Sequence, residues 1–176
     1  STVKRTYSPA VALVGCGNQV TRSRMHNAPH MAISYDGNNH LIQGNEIFNV
    51  CYETSDVGAI YSVRTWSYRG VVINNNYIHD LTTSHGTGSA AVYLDDMTSG
   101  GIVTNNLFAN ISGYTVLTGG GRDNRFENNI QINQSGGKGI HHDARGEGWA
   151  VNAGSVPGGN NYAEWNKIKT DPRYDA

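Results

Sequence analysis

The chain has 176 residues and a mass of 19.0 kDa, enough for one domain with a core of its own and too little for two. Its 13 basic and 14 acidic residues leave a formal net charge of −1, so it carries no electrostatic footprint for nucleic acid or an anionic membrane. No apolar run approaches the length of a membrane span and no signal-peptide core precedes the first strand, so the chain is expected to be soluble as it stands, with a secreted or periplasmic setting anticipated.

Composition points to strands and turns: 22 glycines, many asparagines and only 4 prolines leave few helix formers. In chain order, one frame runs through "VALVGC", "MAISYD", "GAIYSV", "AAVYLD", "YTVLTG" and "KGIHHD". Each copy places a small residue before an aliphatic one and then alternates, as a half-buried strand does. The central aliphatics are Leu13, Ile33, Ile60, Val92, Val116 and Ile140, and all are expected to face inward. A second frame runs between them through "SRMHN", "GNEIFN", "NNYIHD", "NNLFAN" and "NNIQIN". It ends at Asn27, Asn49, Asp80, Asn110 and Asn133, at intervals of 22, 31, 30 and 23 residues.

A unit of about 22 residues cannot bury its own apolar face, but stacked units make one continuous core. The predicted fold is therefore all-β, a parallel β-helix of about six coils spanning one domain, residues 1–176. Its repeats run over about 10–146, and 147–176 form a covering tail in which Trp149, Tyr162 and Trp165 pack over the last coil. The asparagine column is expected to form a ladder of amides and to hold left-handed backbone. Two long intervals place extended loops at 50–57 and 81–88, beside the sheet of the first frame. The first coil has no evident cover, which predicts a homo-oligomer through that end. Cys16 and Cys51 are expected as buried thiols.

Alternation from the inward aliphatics turns Asp36, Asp95 and Asp143 outward, in one column with Cys16, Val63 and Gly119. Arg64, Asp96, Arg122, Asp123 and Arg145 stand next to it. Carboxylates beside guanidinium groups suit a polyhydroxylated ligand, with Tyr61, Tyr93 and His141 on the same outward face as sugar contacts. His142 is expected to point inward as a hydrogen-bonded core residue, His79 and His85 are secondary candidates, and His40 lies in a turn.

The stretches "HMAISYDGNNHLIQGNEIFNVCYETSDVGAIYS", "YLDDMTSG", "GGGRDNRFENNI" and "HHDARG" resemble bacterial right-handed parallel β-helix proteins of pectate-lyase-like fold, related to glycoside hydrolase family 141. That resemblance implies glycoside hydrolysis of plant-type or bacterial polysaccharide by a carboxylate pair, Asp56 with Asp95 or Asp96. It implies further polar positions at Glu53, Arg64, Arg122, Asp123, Asp143 and Arg145. "VRTW" departs from the family's "GRDW", with Thr65 replacing the aspartate. A straight strand separates Asp56 from Asp95 by roughly 23 Å, so the pair needs the 50–57 loop to fold back. Asp56 is assigned as base and Asp95 or Asp96 as acid, with the like-charge neighbour expected to raise one pKa of the adjacent pair. The alternatives are a non-catalytic carbohydrate-binding scaffold and a polysaccharide lyase. No cofactor is required, and calcium between Asp95 and Asp96 is the one metal considered.

Overall fold

The computed structural model describes residues 8–82, 89–133 and 138–143, and every strand among them pairs in parallel. Sheet 1 runs in spatial order through β1 (Val11–Cys16), β4 (Ile33–Asn38), β7 (Val57–Ser62), β10 (Ser89–Leu94), β13 (Tyr114–Thr118) and β16 (Lys138–His142). Sheet 2 contains β2 (Gln19–Thr21), β5 (Leu41–Gln43), β8 (Val71–Asn74), β11 (Gly101–Thr104) and β14 (Arg125–Glu127). Sheet 3 contains β3 (Arg24–Ala28), β6 (Glu46–Val50), β9 (Tyr77–Leu81), β12 (Leu107–Ile111) and β15 (Ile130–Ile132). The chain visits sheets 1, 2 and 3 in turn and then moves up one strand, the stacked-coil topology of the repeats.

The core is the space between the three sheets. Ile33, Ile60, Val92 and Val116 from sheet 1 meet Ile42, Ile73 and Val103 from sheet 2 and Ile47, Ile78 and Phe108 from sheet 3, all fully buried. Two features correct the expected columns. Ile33 aligns with Val11, while Leu13 aligns with Tyr35, so Leu13 stands one rung further along and Val14, not Cys16, neighbours Asp36. Cys16 is accordingly exposed, whereas Cys51 is buried with its thiol pushed up to about 12 by desolvation. At the far end Ile140 keeps its register with Val116 but is 52 % exposed.

Strict alternation also breaks once per coil. Ala32 and Ile33, Ala59 and Ile60, and Ala91 and Val92 are consecutive residues that all belong to the same core. Pairing skips Ala91 together with Ala59 and Thr115 of the neighbouring strands, so the strands turn the same corner in step, with no residue inserted. A small residue must precede the aliphatic one because both share the inside of that corner, which explains the repeated frame.

The continuous ladder is carried by Asn45, Asn76, Asn106 and Asn129, in the two-residue turns between sheets 2 and 3. The Nδ2 groups of Asn45, Asn76 and Asn106 each donate to the Oδ1 of the next amide at 3.0 Å, and that oxygen also accepts the backbone N–H of the same donor residue; Asn129 ends the ladder with its Nδ2 on the Val103 carbonyl. The residue before each rung is left-handed, with φ near 55° at Asn75, Asn105 and Asn128. The column ending the second frame, Asn27, Asn49, Asp80, Asn110 and Asn133, is left-handed as anticipated. Its amides connect in pairs, Asn49 to Asn27 and Asn110 to Asp80.

The extra length of the long coils is shared between two places. Beyond the segment joining Val50 to Val57, a second extension joins Ser62 to Val71 where the preceding coil needs only Asn39 and His40. Both flank sheet 1, at opposite ends of its strands. Most of the 81–88 loop and the whole 147–176 tail lie outside the described residues.

Candidate functional site

Tyr61 on β7 and Tyr93 on β10 are register partners on the outward side of sheet 1, and their rings meet edge to face with centroids 5.5 Å apart. They send their hydroxyls to different acids. Tyr93 donates to Asp56 Oδ1 at 3.1 Å, while Tyr61 donates to Asp95 Oδ2. Asp56 is exposed and left-handed, at φ 56°, which lets the loop deliver its carboxylate to the strand beside it. The loop thus brings Asp56 onto Tyr93 while Asp95 holds Tyr61: two separate hydrogen bonds flank an aromatic pair, and the two acids are parted by both rings.

Beyond Asp95 the array continues into Arg64, from the extension between β7 and β8. Its Nε lies 2.9 Å from Asp95 Oδ2 and 3.4 Å from Asp96 Oδ2. The guanidinium side chain is 51 % exposed while both carboxylates are buried, so Arg64 covers the acids and meets solvent itself. This corrects the expectation that Asp95 stands open on the outward face. Ser62, an inward polar residue, accepts the Asp95 N–H at 3.0 Å and bonds the Thr98 hydroxyl at 2.8 Å. Its signal in the sequence is a hydroxyl at a position where alternation demands an aliphatic.

Burial pushes the Asp95 carboxyl up, but hydrogen bonds from Tyr61, Arg64 and the Asp96 amide, with the Arg64 charge, outweigh it and hold the group below the usual carboxylate range. Arg64 is raised in turn, first by its hydrogen bond to Asp95. Tyr61 is raised by burial and then by the hydrogen bond and charge of Asp95, so it stays a protonated donor. The like-charge elevation expected for the adjacent acids does not occur at Asp95, because a guanidinium is held against both.

The other candidates lie around this array. Glu53 sits in the loop before β7, its backbone N–H on the Pro29 carbonyl. His141 stacks on Tyr114 at 4.8 Å, and the Asp143 N–H bonds the Thr118 carbonyl, continuing the Asp95 row past Gly119. Arg122 Nη1 holds Asp123 at 3.0 Å beside a cavity of about 210 Å³ that His142 also lines. His142 bonds Thr118 Oγ1 at 2.7 Å but is exposed. His40 is fully buried, accepting the Asn18 N–H at Nδ1 and donating from Nε2 to the Asp36 carbonyl, a structural role. His79 lies on sheet 3, between Asp80 and Glu46. Thr65 is buried and bonds Ser67, shaping the extension that carries Arg64. Arg145 and His85 lie outside the described residues. Among the described residues no group of three or more His, Cys, Asp or Glu converges as metal ligands, and the space calcium would need between Asp95 and Asp96 faces Arg64.

Gly119 is the floor under Asp96. A Cβ there would stand 2.7 Å from Asp96 Oδ1 and 2.8 Å from its backbone nitrogen. Gly119→Ala is expected to cost about 1–3 kcal/mol through overpacking and to displace Asp96, read as a lowered urea midpoint with shifted Asp96 and Arg64 NMR signals.

Three parallel sheets around one core, a buried amide ladder and an acid–aromatic surface between two loop sets define a parallel β-helix protein, an architecture compatible with carbohydrate-active function. The chain belongs to the right-handed β-helix family, whose model, described as a right handed beta helix region, matches residues 9–169. No curated protein and no solved structure matches the chain.

Proposed function

We propose that the protein is a glycoside hydrolase that takes a plant-type or bacterial polysaccharide across the outward face of sheet 1. The observation that carries this reading is the array in which Tyr93 donates to Asp56 and Tyr61 to Asp95, so that carboxylates stand on both sides of an edge-to-face aromatic pair. The partly buried Tyr61 and the half-exposed Arg64 guanidinium are groups that orient sugar rings and hydroxyls, whereas Tyr93, expected as a sugar contact, is only 1 % exposed and acts from beneath by holding Asp56. Asp56, the exposed acid, serves as base for the attacking water, and Asp96, which Arg64 holds less closely than Asp95 (3.4 Å against 2.9 Å), becomes the proton donor to the leaving oxygen once the half-exposed guanidinium is drawn onto the substrate. Asp95, held ionised, is a positioning residue that fixes Arg64 and Tyr61.

The test is reducing-sugar release from a panel of fucosylated, xylan-type and bacterial polysaccharides. Asp56→Asn is expected to lower release at least about a hundredfold while leaving sugar binding intact. Equal release by the parent and by Asp56→Asn would overturn the assignment. One observation favours a second reading: Asp95 and Asp96 are each only 1 % exposed. In that reading the same face binds sugar without turnover, through Asp56, Tyr61 and Arg64, and the parent retains polysaccharide while releasing no product. A lyase would instead give unsaturated products absorbing in the ultraviolet.

A further inference from the structure

A groove of about 480 Å³ lies on the outward side of sheet 2, away from the array on sheet 1, and is lined by Gln19, Thr21, Arg22, Leu41, Gln43 and Asn75 among others. Its side chains come from alternate positions of neighbouring strands: Gln19 pairs with Leu41 and Thr21 with Gln43, so amides and a hydroxyl stand around an aliphatic floor. No carboxylate is among the lining residues, and Arg22 is their one charge.

Arg22 occupies its position against local preference. It has φ 51° and precedes the first rung of the turn column. The equivalent residues in the other coils are Gly44, Asn75, Asn105 and Asn128, the types that tolerate left-handed backbone best. An arginine held there carries conformational strain that asparagine would relieve, and such strain persists where the side chain has a use. The Arg22 side chain lies along the next turn of the column, its Cγ within ordinary contact of the Cβ position at Gly44, 3.8 Å. By contrast Arg24, two residues on, is committed to Glu46 at 2.8 Å and to the Phe48 ring.

We propose that this groove is a second carbohydrate site, selective for an oligosaccharide that bears a carboxylate or sulfate. Arg22 takes the anionic substituent, the Gln19 and Gln43 amides take ring hydroxyls, and Leu41 lies under the apolar face of a sugar ring. A single cation among neutral amides matches one charge per sugar in a field of hydroxyls; a polyphosphate or nucleic acid would need a cluster of cations.

The test is titration calorimetry of the full chain with a galacturonate hexamer, a sulfated galactan hexamer and neutral xylohexaose. At least one charged hexamer is expected to bind at least ten times tighter than xylohexaose, with affinity falling as salt rises. Tight binding of the galacturonate alone assigns the carboxylate, of the galactan alone the sulfate. Arg22→Asn is expected to lose about tenfold of that affinity while melting no lower than the parent, because asparagine suits the turn. Gln43→Ala should weaken binding severalfold, and Asp56→Asn should leave it unchanged, separating this groove from the sheet 1 site. Failure of the parent to bind either charged hexamer, equal affinity for the neutral one, or full affinity in Arg22→Asn would each overturn the proposal.

Discussion

Asp95→Asn is expected to destabilise the protein by about 2 kcal/mol near pH 7 and to remove ligand binding at sheet 1. The asparagine keeps the shape but loses the charge that fixes Arg64, and it offers a poorer acceptor to Tyr61. The figure is kept below that for breaking a fully buried pair because Arg64 is half exposed and falls back on water. The sign with pH follows from the direction of the shift. Asp95 titrates lower in the folded chain than in the unfolded one, so its stabilisation is complete above the ordinary carboxylate range and is lost as pH falls through the lowered folded value. Parent and variant should therefore differ in urea midpoint near neutrality and converge as pH falls through the lowered folded value. A gap that persists unchanged in acid would mean that the carboxylate's charge is not what matters.

Asn76→Ala is expected to cost more, about 4 kcal/mol or above, since each buried polar group left without a partner costs about 1–3 kcal/mol. Asn76 Oδ1 accepts two donors from Asn45, and its Nδ2 reaches the Ile42 carbonyl and Asn106 Oδ1. Removing the amide takes partners from Ile42 and Asn45 on one neighbouring coil and from Asn106 on the other, in a site that is 1 % exposed. Asn18→Ala is the contrast: that amide is exposed and makes one bond, to the Val14 carbonyl, so the change should fall within about 0.5 kcal/mol of the parent. Chemical denaturation of both variants checks the pair. Comparable losses would show that the ladder's burial is not what stabilises the stack.

The coil repeat was legible because stacking demands the same residue type at the same height, and Ile33, Ile60, Val92 and Val116 advertise it. Register at the first coil was not, since "VALV" offers two aliphatics of the same parity and only the pairing decides for Val11 over Leu13. Both asparagine columns were visible in the second frame, but which one is buried depends on the side of the turn that faces the core. The outward side of Asp95 followed from alternation, whereas its burial depends on Arg64, which a loop folds over it from outside the repeat. Likewise the pairing of Asp56 with Tyr93 arises from a left-handed loop residue, and strand arithmetic does not contain it. Arg22 was readable in principle, as the one cation in a column of glycine and asparagine.

Every turn between sheets 2 and 3 among the described residues is two residues long, and all but the first, Arg22 and Ser23, hold a ladder asparagine, while the segments bordering sheet 1 vary in length from coil to coil. The spine that keeps the coils in step thus runs at a corner of the stack away from the segments whose length changes. Coils can therefore differ in length beside sheet 1 without losing step, a division of labour that would let a lineage of such stacks diversify at one corner while its register is kept at another.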